Sequence, residues 1–289
     1  MRHVYECPVR WADLDVLGHV NNVVYVDYLQ EARVSLLGVP AGVSLDGHEA
    51  RPADDGIVVV AHQIHYVSPL RFDFGTVRIE TWATEIRAAS FTLAYEIYRE
   101  HEDGREVYVR ASTVLAPYVF GADTPRRLTP TEKDRLQRYF EPAETRLPEF
   151  SEPRFTQNGE FELYTRFSDV DTYGHVNNVK YFEYFQEGRV AALRVVRGEG
   201  ALGDLAVQPL VVAQADVSYL RPLLFSLKPY ALNTWISHVG NRSMVLEGVI
   251  HDGETVYARS RHVMVFFDPE TQRSTEPSPE FRDRLQALM

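Results

Sequence analysis

A single cysteine, Cys7, occurs in the 289 residues, so an intramolecular disulfide is excluded and the chain is compatible with a reducing compartment. A cytoplasmic setting is the resulting expectation. Positive charge is also scarce: 30 Lys and Arg stand against 41 Asp and Glu, and the net charge of −11 argues against sequence-independent binding to nucleic acid or an anionic membrane. No segment approaches the roughly 18 apolar residues of a membrane span. The opening MRHVYECPVRW lacks an apolar run of signal-peptide length. There is no P-loop, no dinucleotide glycine fingerprint and no Gly-x-Ser-x-Gly elbow. A repeated metal-ligand set is missing too, because His62 and His65 would point to opposite faces of a strand and their counterparts in the second half are Ala215 and Ser218. Neither a metal nor a cofactor is expected.

What the chain has is an ordinary soluble composition, 45% apolar and 25% charged, and one stretch written twice. Arg10 to Val34 reads RWADLDVLGHVNNVVYVDYLQEARV, and Arg166 to Val190 reads RFSDVDTYGHVNNVKYFEYFQEGRV; about 15 of the 25 paired positions are identical without a gap. The shared positions are mostly polar or glycine, including Asp13, Asp15, Gly18, His19, Asn21, Asn22, Tyr25, Tyr28, Gln30, Glu31 and Arg33. A core kept for packing would keep apolar positions instead, so the repeat points to chemistry.

Around the repeat the halves run in parallel. Residues 3 to 11 alternate as a strand, with Cys7 one of its residues and Leu163 at the matching place; Asp13 to Asn22 is a turn, with Asn21 or Asn22 as helix N-cap. The apolar spacing from Val23 predicts a helix of about 16 residues that stops at Gly38 and Pro40. Four strands follow, Ile57 to Val67, Val77 to Ile86, Phe91 to Arg99 and Glu106 to Val119, with counterparts at Leu210 to Leu220, Tyr230 to Val239, Met244 to His251 and Thr255 to Phe267. Short helices over Thr131 to Tyr139 and Pro279 to Leu288 end each half, and the Pro- and Glu-rich 141–154 reads as a linker between domains 1–140 and 155–289. The fold class is α+β, one long helix on an antiparallel sheet of about five strands, twice.

This order of elements, with Asp-x-Asp-x-x-Gly-His-x-Asn-Asn-x-x-Tyr leading into the helix, resembles the hotdog-fold thioesterases. It is most similar to the 4-hydroxybenzoyl-CoA thioesterase class and to plant-type acyl-ACP thioesterases. The resemblance implies two hotdog domains paired as an intrachain pseudo-dimer, with sites where they meet. It places the catalytic carboxylate on Asp15 and Asp171 and matches His19 and His175 to the motif histidine of the acyl-ACP enzymes. Where those enzymes carry Asn two residues after the Asp, this chain has Leu17 and Tyr173, and their later Glu or Cys is missing, which favours a simpler Asp-centred mechanism. Asn22 and Asn178 fall where some bacterial acyl-CoA members have a histidine. The implied substrate is an acyl-CoA or an acyl-ACP; a homo-oligomer of the tandem unit is compatible with the resemblance.

The residue types suit thioester hydrolysis independently. A carboxylate serves as general base on water or as nucleophile, and a helix N-terminus presents N–H groups and partial positive charge to a developing oxyanion. Gly18 and Gly174 would let the backbone approach the thioester. The remaining members divide between site and scaffold: Asp13 and Asp169 as turn or capping residues; His19 and His175 either orienting the site or bridging loop to sheet; Asn21 and Asn177 either structural or, with Asn22 and Asn178, reaching substrate. Tyr25, Tyr28, Tyr181 and Tyr184 read as helix packing with a polar tip, and Glu31 with Arg33, like Glu187 with Arg189, as structural pairs or helix-end contacts. Arg126, Arg127, Arg259 and Arg261 are available to coenzyme A phosphates. A non-hydrolytic acyl-CoA-binding module and a hotdog dehydratase are the alternatives.

Overall fold

In the computed structural model the described residues are 1–38, 55–144, 149–155, 159–197, 209–287 and 289. Pro40, Leu288 and part of the expected linker lie outside them. The chain forms two compact units, Met1–Leu147 with Asp171–Val179, and Pro148–Val170 with Lys180–Met289.

In the first unit, strands β1 (His3–Pro8), β2 (Asp55–Tyr66), β3 (Thr76–Ile86), β4 (Phe91–His101) and β5 (Gly104–Val119) pair antiparallel in the order β1-β3-β4-β5-β2. Helix α1 (Val24–Leu37) lies against β1 and β3. Its buried residues Val26, Leu29, Ala32, Arg33 and Leu36 recur every three or four positions, and burying a side chain such as Leu29 contributes about 1.5–3 kcal/mol. The helix ends where Gly38 takes φ +84°. Strand β6 (Thr124–Pro125) pairs with β5. Helix α2 (Pro130–Gln137) then starts on a capping box between Thr129 and Glu132, with Pro130 at its first position.

In the second unit β7 (Glu160–Leu163), β8 (Leu210–Tyr219), β9 (Tyr230–Val239), β10 (Ser243–His251) and β11 (Val256–Asp268) repeat the order as β7-β9-β10-β11-β8. Helix α3 (Lys180–Arg197) lies against β9, β7 and β10, β12 (Arg273–Ser274) pairs with β11, and α4 (Pro279–Gln286) is capped by Ser278. Each unit is thus a hotdog domain, one long helix on an antiparallel sheet, and the chain is a tandem of two. No helix among the described residues is long and apolar enough to cross a membrane.

Two expectations are corrected here. The N-cap of α1 is Val23, with no side-chain cap, because Asn21 is spent one turn earlier: its side-chain Oδ1 accepts from the Val23 N–H at 3.3 Å. Glu31 and Arg33 do not pair. Residues two apart lie on different faces of a helix, so Glu31 is exposed while Arg33 is buried.

Core bulk is exchanged between the units. Thr81 faces Tyr95 across β3 and β4, and the matching Thr234 faces Gly248 across β9 and β10. Where the first unit has Leu29 on its helix and Tyr95 on its sheet, the second has Phe185 and Gly248. A Cβ on Gly248 would lie 3.0 Å from Ser260 Oγ and 3.2 Å from the Phe185 ring, so the glycine leaves room for the larger helix residue.

Candidate active site

The motif begins as a 3-10 turn, Trp11–Asp13, closed by its own side chains. The buried Asp13 carboxylate accepts from the Arg10 N–H at 2.8 Å, the Arg10 guanidinium at 2.8 and 3.0 Å, and the Tyr28 hydroxyl at 2.5 Å. Burial pushes its acidity down, but the Arg10 and Tyr28 hydrogen bonds outweigh this and hold Asp13 below the ordinary carboxylate range. Asp169 repeats the arrangement, accepting from the Arg166 N–H at 2.8 Å and Tyr184 at 2.6 Å. With every donor pointing inward, Asp13 and Asp169 are turn residues, as their position before a helix suggests.

The next loop holds the second aspartate. The Asp15 N–H donates to the His19 carbonyl at 2.8 Å and the Gly18 N–H to the Asp15 carbonyl at 3.0 Å. One carboxylate oxygen, Oδ1, accepts from the Leu17 and His19 N–H groups at 2.8 and 3.3 Å, while Oδ2 makes no hydrogen bond with a described residue. Asp171 copies the loop: its N–H donates to the His175 carbonyl at 2.8 Å, and its Oδ1 accepts from the Tyr173 N–H at 2.9 Å. Gly18 and Gly174 have φ of +74° and +79°, and a Cβ on either would meet nothing within 4 Å. They are glycine for the backbone turn, with open space beside them.

The tyrosines latch these loops. Tyr66 donates to the Asn22 carbonyl at 2.8 Å, and Tyr181 accepts from the Leu223 N–H at 2.9 Å. His19 pairs through its main chain with Arg71, in the connection between β2 and β3, and burial lowers the pKa of its ring. Asn21 and Asn177 are turn residues in both copies, each accepting from the N–H two positions on at 3.3 Å. The Val24 and Val26 N–H groups donate to Asn21 and Val23 carbonyls, so part of the first helical turn is already spoken for.

The surroundings of the two copies differ. Leu17 is 40% exposed, whereas Tyr173 stacks on Phe120 at 4.4 Å and His175 meets the same ring edge-on at 5.5 Å. Gly56 makes room for that stack: a Cβ there would lie 2.6 Å from Phe120 and 2.9 Å from Tyr173. Desolvation raises the pKa of Asp171 despite the backbone donors of Tyr173 and His175. The second asparagines diverge as well. Asn22 Nδ2 is buried with no partner. Asn178 Nδ2 donates to Gln30 at 3.2 Å and to Asn177 at 3.0 Å, while its Oδ1 accepts from His62 Nε2 at 3.3 Å.

His62 is a site residue that the sequence comparison misses. It is fully buried, its Nδ1 accepts from Thr113 at 2.9 Å, and its pKa is pushed down to about 3 by burial and by the charge of Arg33, so it is neutral. Position by position, His62 is replaced by Ala215 in the second half. Across the strands, however, His62 faces Thr113 and Ala215 faces His262, so each unit keeps one buried histidine at the same cross-strand pair. The signal lay in the pair of positions and not in either alone. His65, by contrast, is exposed, on the opposite face as expected.

Of the four candidate phosphate-binding arginines, Arg126 is committed to Asp55 and Glu132 at 2.6 and 2.8 Å, and Arg261 lies 3.4 Å from Asp216. Arg259 bonds the Ser151 carbonyl, and Arg127 is exposed. Burial pushes the Cys7 thiol up to about 11, which suits a strand residue and not a nucleophile. Among the described residues no cluster of His, Cys, Asp or Glu could hold a metal ion.

The profile of the thioesterase-like superfamily matches residues 9–139 and 165–285, which is both halves. No curated protein sequence matches. Among solved structures, one described as an oleoyl thioesterase from Lactobacillus plantarum superposes with TM-score 0.72 at 15% identity, covering 93% of this chain and 97% of that one. A 12:0-ACP thioesterase from Umbellularia californica gives 0.68 at 14% identity, covering 90% and 93%. An acyl-ACP thioesterase from Bacteroides thetaiotaomicron gives 0.62 at 15%, covering 91% and 97%.

Proposed function

We propose, from the premise that this chain belongs to the thioesterase-like superfamily and hydrolyses acyl thioesters, that it cleaves acyl-CoA to free acid and CoA with Asp15 and Asp171 as the catalytic carboxylates. The observation that carries the reading is the carboxylate of each loop. Backbone donors fix Oδ1, which aims the group without consuming it, and in Asp15 the Oδ2 stays available to a water or a carbonyl carbon.

As general base, the carboxylate takes a proton from the attacking water; as nucleophile, it forms an anhydride that water then opens. In either course the carbonyl oxygen gains negative charge, and the donors left at the start of α1 and α3 favour it, each such donor being worth about 10²–10³ in rate. Asn22, with its unspent Nδ2, is a further donor toward the substrate. His19 and His175 orient the loops.

The decisive experiment measures thiol release from a panel of acyl-CoAs by the wild type and the Asp15→Asn/Asp171→Asn double variant. Loss of at least about 10³ in kcat/KM is expected. Full activity in the double variant removes the assignment. Single turnover in ¹⁸O water separates the courses, because only the nucleophilic one leaves label in the protein carboxylate when that anhydride is opened at the aspartyl carbon. A second reading, an acyl-ACP substrate, is favoured by what the similar Umbellularia and Bacteroides structures act on. The net charge of −11 speaks for CoA, since an acidic carrier would need a basic dock. Matched acyl-CoA and acyl-ACP assays decide between them.

A further inference from the structure

Arg33 is 7% exposed, and its Nη1 is buried without a hydrogen-bond partner. No carboxylate forms an ion pair with it among the described residues. A guanidinium carries five N–H donors and its charge does not titrate away, so leaving it buried and unanswered is among the more unfavourable arrangements a fold can hold. Its neighbours do not answer it. Gln30, one turn earlier on the same face of α1, gives its oxygen to Asn178 at 3.2 Å, and the His62 ring is spent on Asn178 and Thr113.

The second unit has a buried arginine and a buried histidine at related positions. Arg189 is buried at the matching helix position, and His262, 1% exposed, has neither ring nitrogen hydrogen-bonded. The charge of Arg189 depresses the pKa of His262, as that of Arg33 depresses the pKa of His62, and Asn178 ties the His62 ring to Gln30, one turn before Arg33 on α1. Packing does not call for the buried, unpartnered guanidinium of Arg33. An anionic ligand does.

We propose that Arg33, flanked by Gln30 and His62, is a carboxylate-binding site next to the Asp171 loop. Asn178 joins the two, since it belongs to that loop and bonds both Gln30 and His62. The carboxylate has two chemical sources, the acid released by hydrolysis or a second carboxyl on the acyl group, and the first of these rests on the function proposed above. A guanidinium grips a carboxylate through two parallel N–H donors, which a neutral amide of the same shape cannot match.

Binding of octanoate and of octanamide, measured by titration calorimetry on the full chain, tests the site without any thioester. The wild type is expected to prefer octanoate by at least about tenfold. Arg33→Met is expected to abolish the preference while melting no lower than the wild type, because it removes an unpaired buried charge at similar volume. Equal binding of the two probes by the wild type, or an undiminished preference in Arg33→Met, overturns the proposal. Should Arg33→Met not fold, Arg33→Lys is expected to weaken octanoate more than octanamide, and equal weakening overturns it.

The source is read from turnover. Octanoate inhibition of octanoyl-CoA hydrolysis that disappears in Arg33→Lys assigns the product, and a lost advantage of glutaryl-CoA over pentanoyl-CoA assigns a distal carboxyl. If no acyl-CoA is hydrolysed but the octanoate preference stands, the proposed function fails and this site remains.

Discussion

Around Asp15 and around Asp171 the chain ties the same knot: a glycine at positive φ, the aspartate N–H returned to the histidine carbonyl, and one carboxylate oxygen held by loop N–H groups. What surrounds the knot is not the same. The first copy has Leu17 and an unspent Asn22 amide; the second has Tyr173 stacked on Phe120, and Asn178 bound to Gln30 and His62. The loop is fixed by hydrogen bonds among its own backbone and side chains, so it survived duplication intact. Dielectric and access are set by residues far away in sequence, and there the copies parted.

The shared part breaks hardest. Tyr28→Phe and Tyr184→Phe each remove a hydroxyl donor from a buried carboxylate, and each is expected to cost about 1.5–3 kcal/mol in chemical denaturation. Equal losses support one common scaffold; a loss confined to one of them would show that the turns are not equivalent. Gly188→Ala tests where the helices differ, since its Cβ would lie 2.5 Å from Leu232 and 2.9 Å from Thr234. A loss of about 1–3 kcal/mol is expected from overpacking, although the matching Ala32 sits in the first helix at no evident strain.

Gly56→Ala is the gentler probe. The clashing atoms belong to the far ends of the Phe120 and Tyr173 side chains, which can swing away, so stability should change by less than about 1 kcal/mol. Activity at the Asp171 loop should change more, because the stack that covers it opens. Comparing Gly56→Ala in the Asp15→Asn and Asp171→Asn backgrounds isolates that effect to one copy.

The raised pKa of Asp171 has a stability signature whose sign is the reverse of a salt-bridged acid. Below the ordinary Asp value of 3.8 both states are protonated and the group contributes nothing. As pH rises from there to the raised value, the unfolded chain releases its proton first and stability falls; above it the penalty is constant. Asp171→Asn is therefore expected to raise Tm at pH 7 by a small amount that vanishes toward pH 3. A lower Tm at pH 7 would contradict the desolvation of Asp171.

Much of the fold was legible from residue order. Tyr230–Val239 was bounded to the residue, and β3 and β4 nearly so, because Val, Ile, Tyr and Trp runs stop at turns whose chemistry is local. The structural reading of Asp13 and the tyrosines was also legible, since an acid ahead of a helix commonly bonds nearby backbone. The helix cap was misread because Asn21 and Asn22 both look like caps, and only the loop's geometry spends Asn21 on Val23. Arg33 was misread because spacing of two residues near a glutamate suggests an ion pair that a helix does not allow. His262 was invisible since the exchange of His62 and Thr113 for Ala215 and His262 crosses strands, and that of Leu29 and Tyr95 for Phe185 and Gly248 is between helix and sheet. Substitutions that move together between contacting partners read as losses when positions are compared singly.

The most direct test of the account is the pH dependence of kcat/KM for acyl-CoA hydrolysis in the Asp15→Asn variant, where Asp171 alone remains. Activity is expected to persist at neutral pH and to fall on the acid side with a midpoint above the ordinary carboxylate value of about 4, because the desolvated Asp171 must be ionised to act. An acid limb at or below that value, or a limb unchanged when Asp171 is replaced as well, would contradict it.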